Sequence, residues 1–291
     1  MYKFRNKTDY ERIFKNIIDD TCEYLRSNKL KSMVLGISGG IDSALIAAIA
    51  REVCAQMDNT VRLVGRSITI SSNTRDEIVR SEMVGRAFCH DFEMLDYTDL
   101  WSKLVRTVQA GSNTIKIRIS RGNIKARLRM IKLYDLAAIN DGLVLATDNY
   151  TEYLLGFRTL HGDVGDFGMI QNLWKNEVYG LADFLATRFA KHSAYIEAEA
   201  LTTCIDAVPT DGLGITVSDF DQLYPRYNGK LSPWAIYKEI DEVLYKHINN
   251  YYLTSADKIH EVIKRYKDTA FKRKNPYNIS RDRVINNCIR E

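Results

Sequence analysis

The sequence has 291 residues, of which 45% are hydrophobic and 27% are charged, the profile of a globular protein with enough apolar side chains for a full core. A net charge of only +4 does not indicate a polyanionic partner, so nucleic-acid binding is not expected. Five cysteines without a C-x-x-C pair argue against a zinc site and a disulfide framework, and no apolar run reaches membrane-spanning length. We therefore expect one cytoplasmic domain over residues 1–291, with no membrane association.

Strand-like and helix-like segments alternate along the chain, which predicts an α/β protein with an open parallel sheet and helices on both faces. Helices are predicted over residues 9–27, 43–57, 74–88, 123–139, 175–190, 234–246 and 256–267, and strands over 33–38, 61–70, 91–97 and 141–147. Asn123 is expected to open the fourth of these helices. All four prolines follow residue 208, so about 206–233 is predicted to be irregular, and a basic segment covers about 264–291.

The hexapeptide SGGIDS at residues 38–43 lies between the first predicted strand and the following helix. Two glycines let the backbone approach a ligand, and the N–H groups at a helix start attract phosphate, to which Ser38 and Ser43 add hydroxyl groups. Asp42 would repel phosphate unless it holds a divalent cation that bridges to it. The alternative without a ligand is a tight turn in which Ser43 caps the helix. No lysine follows the glycines, and their spacing is not G-x-G-x-x-G, which excludes kinase-type and Rossmann loops.

The SGGxDS pattern resembles the signature of the ATP pyrophosphatases, and further segments resemble one branch of them, the NAD synthetases. These segments are GNIKARLRM with LYDLA (122–137), LVLATDNYTEYLLGFRTLHGD (143–163) and NLWKNEVYGLADFL (172–185), with weaker matches at 208–216 and 271–281. The resemblance covers about residues 10–280. It implies an adenine nucleotide alpha hydrolase-like fold, a homodimer, and ATP-dependent amidation of deamido-NAD by ammonia through an acyl-adenylate. Glutamine-dependent relatives carry an extra amidase domain, for which 37 residues before Ser38 are too few, so we expect the chain to use free ammonia or to receive it from a separate protein.

The resemblance also implies roles for individual residues. ATP contacts are implied for Gly36, Ser38, Gly39, Gly40, Asp42, Ser43, Thr147, Lys175 and Thr210. Asp42 and Glu152 are implied to hold Mg²⁺, a cation that prefers carboxylate oxygens. Asp163 and Lys175 are implied to be catalytic, Asp163 by taking a proton from ammonium and Lys175 by offsetting phosphate charge. Substrate contacts are implied for Arg127, Asp166, Phe271 and Lys272.

The sequence departs from the family pattern at a few positions, most of which concern the substrate side of the site. They are Ala146, Leu160, Phe220 and Phe271. Other interpretations stay open for single residues, since Thr147 is also a suitable helix cap and Glu152 a suitable solvated acid. Two other functions fit the loop alone: an ATP pyrophosphatase that adenylates RNA through the basic residues of 116–132, and a non-catalytic nucleotide sensor. The missing C-x-x-C opposes the first, and the three acids Asp42, Glu152 and Asp163 oppose the second.

Overall fold

The computed structural model describes residues 7–108, 114–210, 220–224, 230–251, 261–274 and 280. Strands and helices alternate through the first half, and helices dominate the second. In chain order the elements are α1 (Lys7–Ser27), β1 (Ser32–Gly36), α2 (Ile41–Gln56), β2 (Arg62–Thr69), α3 (Arg75–Phe88), β3 (Asp91–Asp96), α4 (Thr98–Val108), α5 (Ile115–Ile139), β4 (Gly142–Val144), α6 (Tyr150–Leu155), α7 (Lys175–Lys191), α8 (Tyr195–Ile205), α9 (Phe220–Leu223), α10 (Pro233–Ile248), α11 (Glu261–Asp268) and the 3-10 helix Ala270–Lys274.

The four strands form one parallel sheet in the order β3-β2-β1-β4. Val34 in the middle of β1 pairs with Val64 of β2 on one side and with Val144 of β4 on the other. The chain adds strands outward from β1 to β3 and then returns to the other side of β1, so the strand order reverses between β1 and β4. Open α/β sheets bind ligands beyond the carboxyl ends of their strands at such a reversal.

Helices cover both faces of this sheet, because successive side chains of a strand point to opposite sides. Met33 and Leu35 of β1 belong to the larger hydrophobic cluster, which includes buried residues of α1, α2, α7 and α8. Val34 belongs to the smaller cluster, together with Leu133 and Leu136 of α5. The predicted α/β class with a parallel sheet and helices on both faces is therefore confirmed.

Short-range sequence signals explain how several helices begin and pack. α3 starts with a capping box, in which Thr74 Oγ1 accepts from Glu77 N (3.2 Å) and Glu77 Oε2 accepts from Thr74 N (2.9 Å). In α7, Gly180 lies against α1, and a Cβ atom there would come within 2.0 Å of the Tyr10 hydroxyl oxygen. The missing side chain lets these two helices approach closely.

The prediction that Asn123 opens a helix is wrong. α5 begins at Ile115, where Thr114 Oγ1 accepts a hydrogen bond from Ile117 N (3.4 Å). Asn123 lies inside the helix, and its side-chain oxygen accepts from the Thr159 hydroxyl at 2.9 Å. An asparagine has the same short polar side chain at a cap and in a tertiary contact, so the sequence alone does not distinguish the two roles.

Other boundaries differ less. The inner strand predicted over 141–147 is only Gly142–Val144, and the residues after it form the loop that leads to α6. The irregular region predicted over 206–233 contains the short helix α9, while residues 211–219 and 225–229 lie outside the described part. Within the described residues, no helix is both long and apolar enough to cross a membrane.

Candidate nucleotide-binding site

A cavity of about 480 Å³ opens at the carboxyl edge of the sheet, where the strand order reverses. Its wall includes the loop after β1, the end of β2, the loop after β4 and the first residues of α3, α6 and α7. Residues 119–133 of α5, the segment 207–210, the segment 156–165 after α6, and Arg265 and Lys272 also line it. This position and size suit a nucleotide-sized ligand.

The loop at residues 36–43 folds through contacts among its own residues. Gly39 has φ +79°, and a Cβ atom there would lie 2.4 Å from the backbone oxygen of Glu77, so the position requires glycine. Ser43 Oγ donates to Gly40 O (3.0 Å), and Ser38 Oγ accepts from Gly40 N (3.2 Å). Gly40 precedes α2 without a side-chain cap, which leaves the start of this helix suited to an anion.

Lys175 places a buried ammonium group between two carboxylates beside this loop. Its Nζ donates to Asp42 Oδ2 and to Glu152 Oε1 (2.8 Å), and the side chain of Lys175 is only 2% exposed. Asn149 fixes the arrangement from α6, since its Nδ2 donates to Asp42 Oδ1 (2.8 Å) and its Oδ1 accepts from Glu152 N (3.0 Å). Residues 42, 152 and 175 come from three different helices, and the fold brings them to one point.

The electrostatics of this centre indicate excess negative charge. Burial opposes the charged form of Lys175, but the neighbouring Asp42 and Glu152 raise its pKa well above the usual lysine value. Burial, reinforced by Asp42, raises the pKa of Glu152. Burial also raises the pKa of Asp148 to about 7, with a further contribution from Asp163. A carboxylate cluster whose pKa values rise in this way gains stability from an added cation.

Asp148 is the least compensated of these acids. Its Oδ2 is buried without a hydrogen-bond partner, and Arg158 Nη1 is 4.0 Å away. Asp163 Oδ1 accepts from Thr159 N (2.6 Å), and burial raises the pKa of Asp163 as well. Both acids line the cavity, so this end of it is suited to a small cation.

Basic side chains line the rest of the cavity and are held by backbone oxygens. Arg80 Nε donates to Gly39 O (2.9 Å), and Arg129 Nε donates to Ile68 O (3.0 Å). Lys272 Nζ donates to Gly156 O and to Arg158 O, each at 2.7 Å. Fixed guanidinium and ammonium groups around a cavity favour an anionic ligand, such as one that carries several phosphates.

Most of the residues proposed from the sequence line this one cavity. They are Gly36, Ser38, Gly39, Gly40, Asp42, Ser43, Thr147, Glu152, Asp163, Lys175, Thr210 and Lys272. Thr210 contacts the start of α3, where its Oγ1 donates to Glu77 Oε1 at 2.5 Å. The cavity therefore gathers residues that lie up to 236 positions apart in the sequence.

Three proposed substrate contacts lie elsewhere. Arg127 is exposed and its Nη2 donates to Leu160 O (3.0 Å). Asp166 binds the sheet and α5, since its Oδ2 accepts from Val144 N (3.0 Å) and its Oδ1 from Tyr134 Oη (3.2 Å). Phe271 is 62% exposed. None of the three belongs to the wall that the described residues form around the cavity.

The structure adds cavity residues that sequence reasoning missed, chiefly Asp148, Arg129 and Arg158. Asp148 directly follows Thr147, and Arg129 lies two residues after Arg127 on α5, so both were close to recognised positions. The direction in which a helix presents each arginine decides which of the two reaches the cavity. The local sequence does not predict which arginine of α5 faces the cavity, because that depends on the elements packed against the helix.

The parallel sheet, the SGGIDS loop at its carboxyl edge and the buried lysine–carboxylate centre define an enzyme of the adenine nucleotide alpha hydrolase-like fold. Comparison with known families makes the assignment specific. The chain belongs to the NAD synthase family, whose match covers residues 13–276.

Individual relatives agree with this assignment. The chain is 34% identical over 221 residues to the NH(3)-dependent NAD(+) synthetase of Mycoplasma genitalium, a match that covers 74% of this chain and 83% of the relative. The fold is similar to the NMN synthetase of Francisella tularensis (TM-score 0.71, 19% identity, 95% and 100% of the two chains). It is also similar to the NH3-dependent NAD synthetase of Campylobacter jejuni (TM-score 0.66, 22% identity, 93% and 99% of the two chains).

Proposed function

We propose that this ligase forms the amide bond of NAD from deamido-NAD and ammonia, and that it consumes ATP to AMP and pyrophosphate. The observation that carries the proposal is the buried Lys175 between Asp42 and Glu152, beside a glycine-rich loop that is suited to phosphate. Cleaving ATP between its α and β phosphates releases a pyrophosphate group with several negative charges. A buried cation and helix N–H groups at that position stabilise the developing charge.

In the first step, an oxygen of the nicotinate carboxylate attacks the α-phosphorus of ATP, and the bond to pyrophosphate breaks. The loop at residues 38–43 and Lys175 hold the phosphates, and Thr147 and Thr210 lie within the same cavity. The product is an acyl-adenylate, in which AMP is a good leaving group. The protein contributes orientation and fixed charge, and no covalent bond to a side chain is needed.

In the second step, the nitrogen of ammonia attacks the acyl carbon, AMP leaves with the electron pair of the carbon–oxygen bond, and the nitrogen releases one proton to solvent to give the neutral amide. Ammonia arrives from ammonium, which has to lose a proton before its nitrogen becomes nucleophilic. Asp163 is suited to accept that proton because it lines the cavity and because burial raises its pKa above the ordinary aspartate value, which makes it a stronger base. Asp148 adds a second carboxylate that attracts the ammonium ion to the same end of the cavity.

The side chains also fit Mg²⁺. Asp42 and Glu152 direct carboxylate oxygens at one point, where Lys175 now supplies the positive charge, and oxygen is the ligand type that Mg²⁺ takes. The described residues contain no group of three or more His, Cys, Asp and Glu placed to hold a metal ion, so Asp42 and Glu152 would supply two ligands and water or phosphate oxygens the others. When bound, Mg²⁺ supplies positive charge to the phosphates of ATP.

We further propose that the protein is a homodimer. Large apolar side chains are exposed along α4 and α5, among them Leu100, Ile115, Ile131 and Ile139. Exposed apolar groups of this kind favour association with another surface. A second copy of the chain fits the family resemblance, and it would bring basic residues of α5, such as Arg127, close to the partner.

The reaction is tested by incubating the purified protein with Mg-ATP, deamido-NAD and ammonium chloride, and by separating NAD and AMP chromatographically. We expect NAD and AMP in equal amounts, with both products dependent on ATP and on ammonium. Nicotinate mononucleotide in place of deamido-NAD tests whether the chain forms NMN, the product named for the similar Francisella tularensis structure, and glutamine in place of ammonium tests the nitrogen donor. No NAD from the complete mixture contradicts the proposal.

The variant Asp42→Asn tests the charged centre within the same assay. Removing one carboxylate charge while keeping the shape should lower kcat by about 100-fold or more, because Lys175 and the Mg²⁺ that Asp42 would hold lose a charged partner beside the phosphates. Asp183→Asn is the matched control, since Asp183 is exposed on α7, the helix that carries Lys175. Equal activity of the two variants would exclude Asp42 from the reaction.

A further inference from the structure

Asp241 is a fully buried carboxylate outside the cavity. It lies on α10, a helix that contributes no residue to the described cavity wall, and its exposed fraction is 0%. Burying a carboxylate is costly unless its oxygens receive hydrogen bonds. The partners of Asp241 therefore indicate why the fold retains an acid at this position.

Both oxygens of Asp241 accept hydrogen bonds from elements that carry the reactive centre. Oδ1 accepts from the Thr151 hydroxyl (2.6 Å), and Oδ2 accepts from the backbone N–H of Asn176 (2.7 Å). The Thr151 oxygen in turn accepts from the backbone N–H of Lys175 (2.9 Å). One carboxylate is thus joined to the first turn of α6 and the first turn of α7.

These contacts replace a cap that the sequence of α7 does not provide. The residue before α7 is Trp174, whose side chain carries no oxygen to accept from the first N–H groups of the helix. Asp241 and Thr151 accept from the N–H groups of residues 176 and 175 instead. Trp234 of α10 adds a second tie, because its indole N–H donates to the side-chain oxygen of Asn176 at 2.8 Å.

The same contacts fix the backbone at both partners of the buried ion pair. Thr151 immediately precedes Glu152, and Lys175 is the first residue of α7. The distance between the Lys175 ammonium and the Glu152 carboxylate therefore depends on how α6 and α7 are held relative to each other. A displacement of about 1 Å in such a site is enough to lower a rate by about two orders of magnitude.

Both oxygens of Asp241 accept hydrogen bonds, a pattern that the ionised carboxylate satisfies fully. Burial raises the pKa of Asp241 to about 7, and the hydrogen bonds from Thr151 and Asn176 oppose that rise. Glu177 on α7 adds to the rise, whereas Lys175 on the same helix opposes it. An asparagine of the same shape has one accepting oxygen, so it leaves one of the two donors without an acceptor.

We propose that Asp241 is a positioning residue, which holds the first turns of α6 and α7 together and so sets the geometry of Lys175 and Glu152. It acts on ATP phosphates through these two residues and touches no substrate itself. Measuring NAD formation as the test rests on the proposed function, whereas measuring the affinity for Mg-ATP does not depend on which product the enzyme makes.

The test compares Asp241→Asn with the wild-type chain. We expect kcat for NAD formation to fall about 10- to 100-fold, the range typical for partners that orient a reactive group. The dissociation constant of Mg-ATP, measured by calorimetry, should rise about tenfold, and KM for deamido-NAD should stay within twofold. Thr151→Val, which removes the bridging hydroxyl, should reproduce the fall in kcat and the rise in the dissociation constant. Thr151→Ser keeps a hydroxyl at this position and should therefore retain most of the wild-type activity and Mg-ATP affinity.

Ser232→Ala is the control for a general weakening of α10, because Ser232 caps that helix through its contact with Ala235 N and lies away from the carboxylate. A kcat for Asp241→Asn within twofold of wild type would overturn the proposal. An equal fall in kcat for Ser232→Ala, when the two variants have the same unfolding temperature, would also overturn it. If the wild-type chain forms no NAD, the proposed function fails, and Mg-ATP binding by Asp241→Asn and Thr151→Val still decides the role of Asp241.

Discussion

Lys175 is the only ammonium group in the described structure that contacts both Asp42 and Glu152, and Asp148 adds a third acid to the same region. Arg158 Nη1 lies 4.0 Å from Asp148 and opposes part of its charge, yet burial still raises the pKa of both Asp148 and Glu152, so the protein alone compensates these acids only in part. Removing one partner of a buried charge pair is strongly destabilising, and keeping a buried carboxylate without a full set of partners lowers the stability of the fold as well. Residues of this kind are kept for their chemistry, at the expense of the folded state.

Asp148→Asn tests this trade between stability and activity. Burial raises the pKa of Asp148 to about 7 in the folded protein, whereas the unfolded chain keeps the ordinary aspartate pKa. Below the ordinary pKa the carboxyl is neutral in both states and does not affect stability. Above pH 7 it is charged in both states, and the whole cost of burying the charge lowers the stability of the fold. The wild-type free energy of unfolding should therefore fall as the pH rises from about 4 to about 7. In the variant this fall should be smaller, and the variant should be more stable by about 1–3 kcal/mol at pH 8 and less active.

Urea denaturation at pH 4 to 8 in the presence of EDTA measures this difference. Asp135→Asn is the control, because Asp135 forms only an exposed ion pair with Lys132 and should change stability by about 0.5 kcal/mol or less. Parallel stability curves for Asp148→Asn and the wild type would contradict the assigned cause.

The residues that the sequence identifies differ in kind from those that it misses. Ser38, Gly39 and Asp42 lie in one short loop, so their chemistry follows from local order. Lys175 lies 133 residues beyond Asp42, and family resemblance, not any local pattern, joined them. Arg129 and Asp148 were missed because side-chain direction and burial depend on neighbours that are distant in the sequence.

At the scale of elements, the turn between β1 and α2 is tightly coupled to α3. Gly39 has a left-handed backbone, and its Cα faces the Glu77 carbonyl of α3 so closely that no Cβ fits. Arg80 of the same helix donates to Gly39 O. The loop geometry therefore depends on a helix that begins more than 30 residues later.

Gly39→Ala should separate this loop from α3. The left-handed conformation alone costs an alanine about 1–2 kcal/mol, and the clash with Glu77 O adds to it. We expect the free energy of unfolding to fall by about 2–3 kcal/mol and Mg-ATP to bind at least about tenfold more weakly, as measured by urea denaturation and calorimetry. Gly168→Ala is the control, because Gly168 is exposed and its nearest neighbour is the flexible side chain of Gln171. Unchanged nucleotide affinity in Gly39→Ala would contradict the role of the loop.

Element type was predictable where the period of apolar residues was clear, and boundaries were less so. β1, α2 and α3 lie close to their predicted ranges, because a buried strand, an alanine-rich helix and a capping box are local signals. α5 begins well before Asn123, and the sequence does not indicate this start because Ile115, Ile117 and Ile119 alternate with polar residues in the period of two that is typical of a strand. β4 is short because the chain leaves the sheet after Val144 to form the wall of the cavity.

At the scale of the whole molecule, the exposed apolar residues along α4 and α5 predict that two copies of the chain associate through these helices. Ile131→Glu should turn the proposed homodimer into a monomer, because a charge at the centre of an apolar contact is left without solvent. Light scattering coupled to size-exclusion chromatography measures the mass of each form. Ile196→Glu is the control, since Ile196 is equally exposed but lies on α8. A wild-type mass of one chain, or dissociation only in the control, would contradict the proposal.

The 3-10 helix Ala270–Lys274 is joined to the segment after α6 by contacts that cap its free carbonyl groups. Lys272 binds two of these oxygens, and Arg273 Nη1 donates to Leu154 O (2.5 Å). Because this helix is the last segment in the chain order of the wall that the described residues form, a ribosome has to release residue 274 before that wall is complete. Nucleotide therefore meets the full set of these wall residues, and stabilises the folded chain through all of them, only after synthesis has passed that residue.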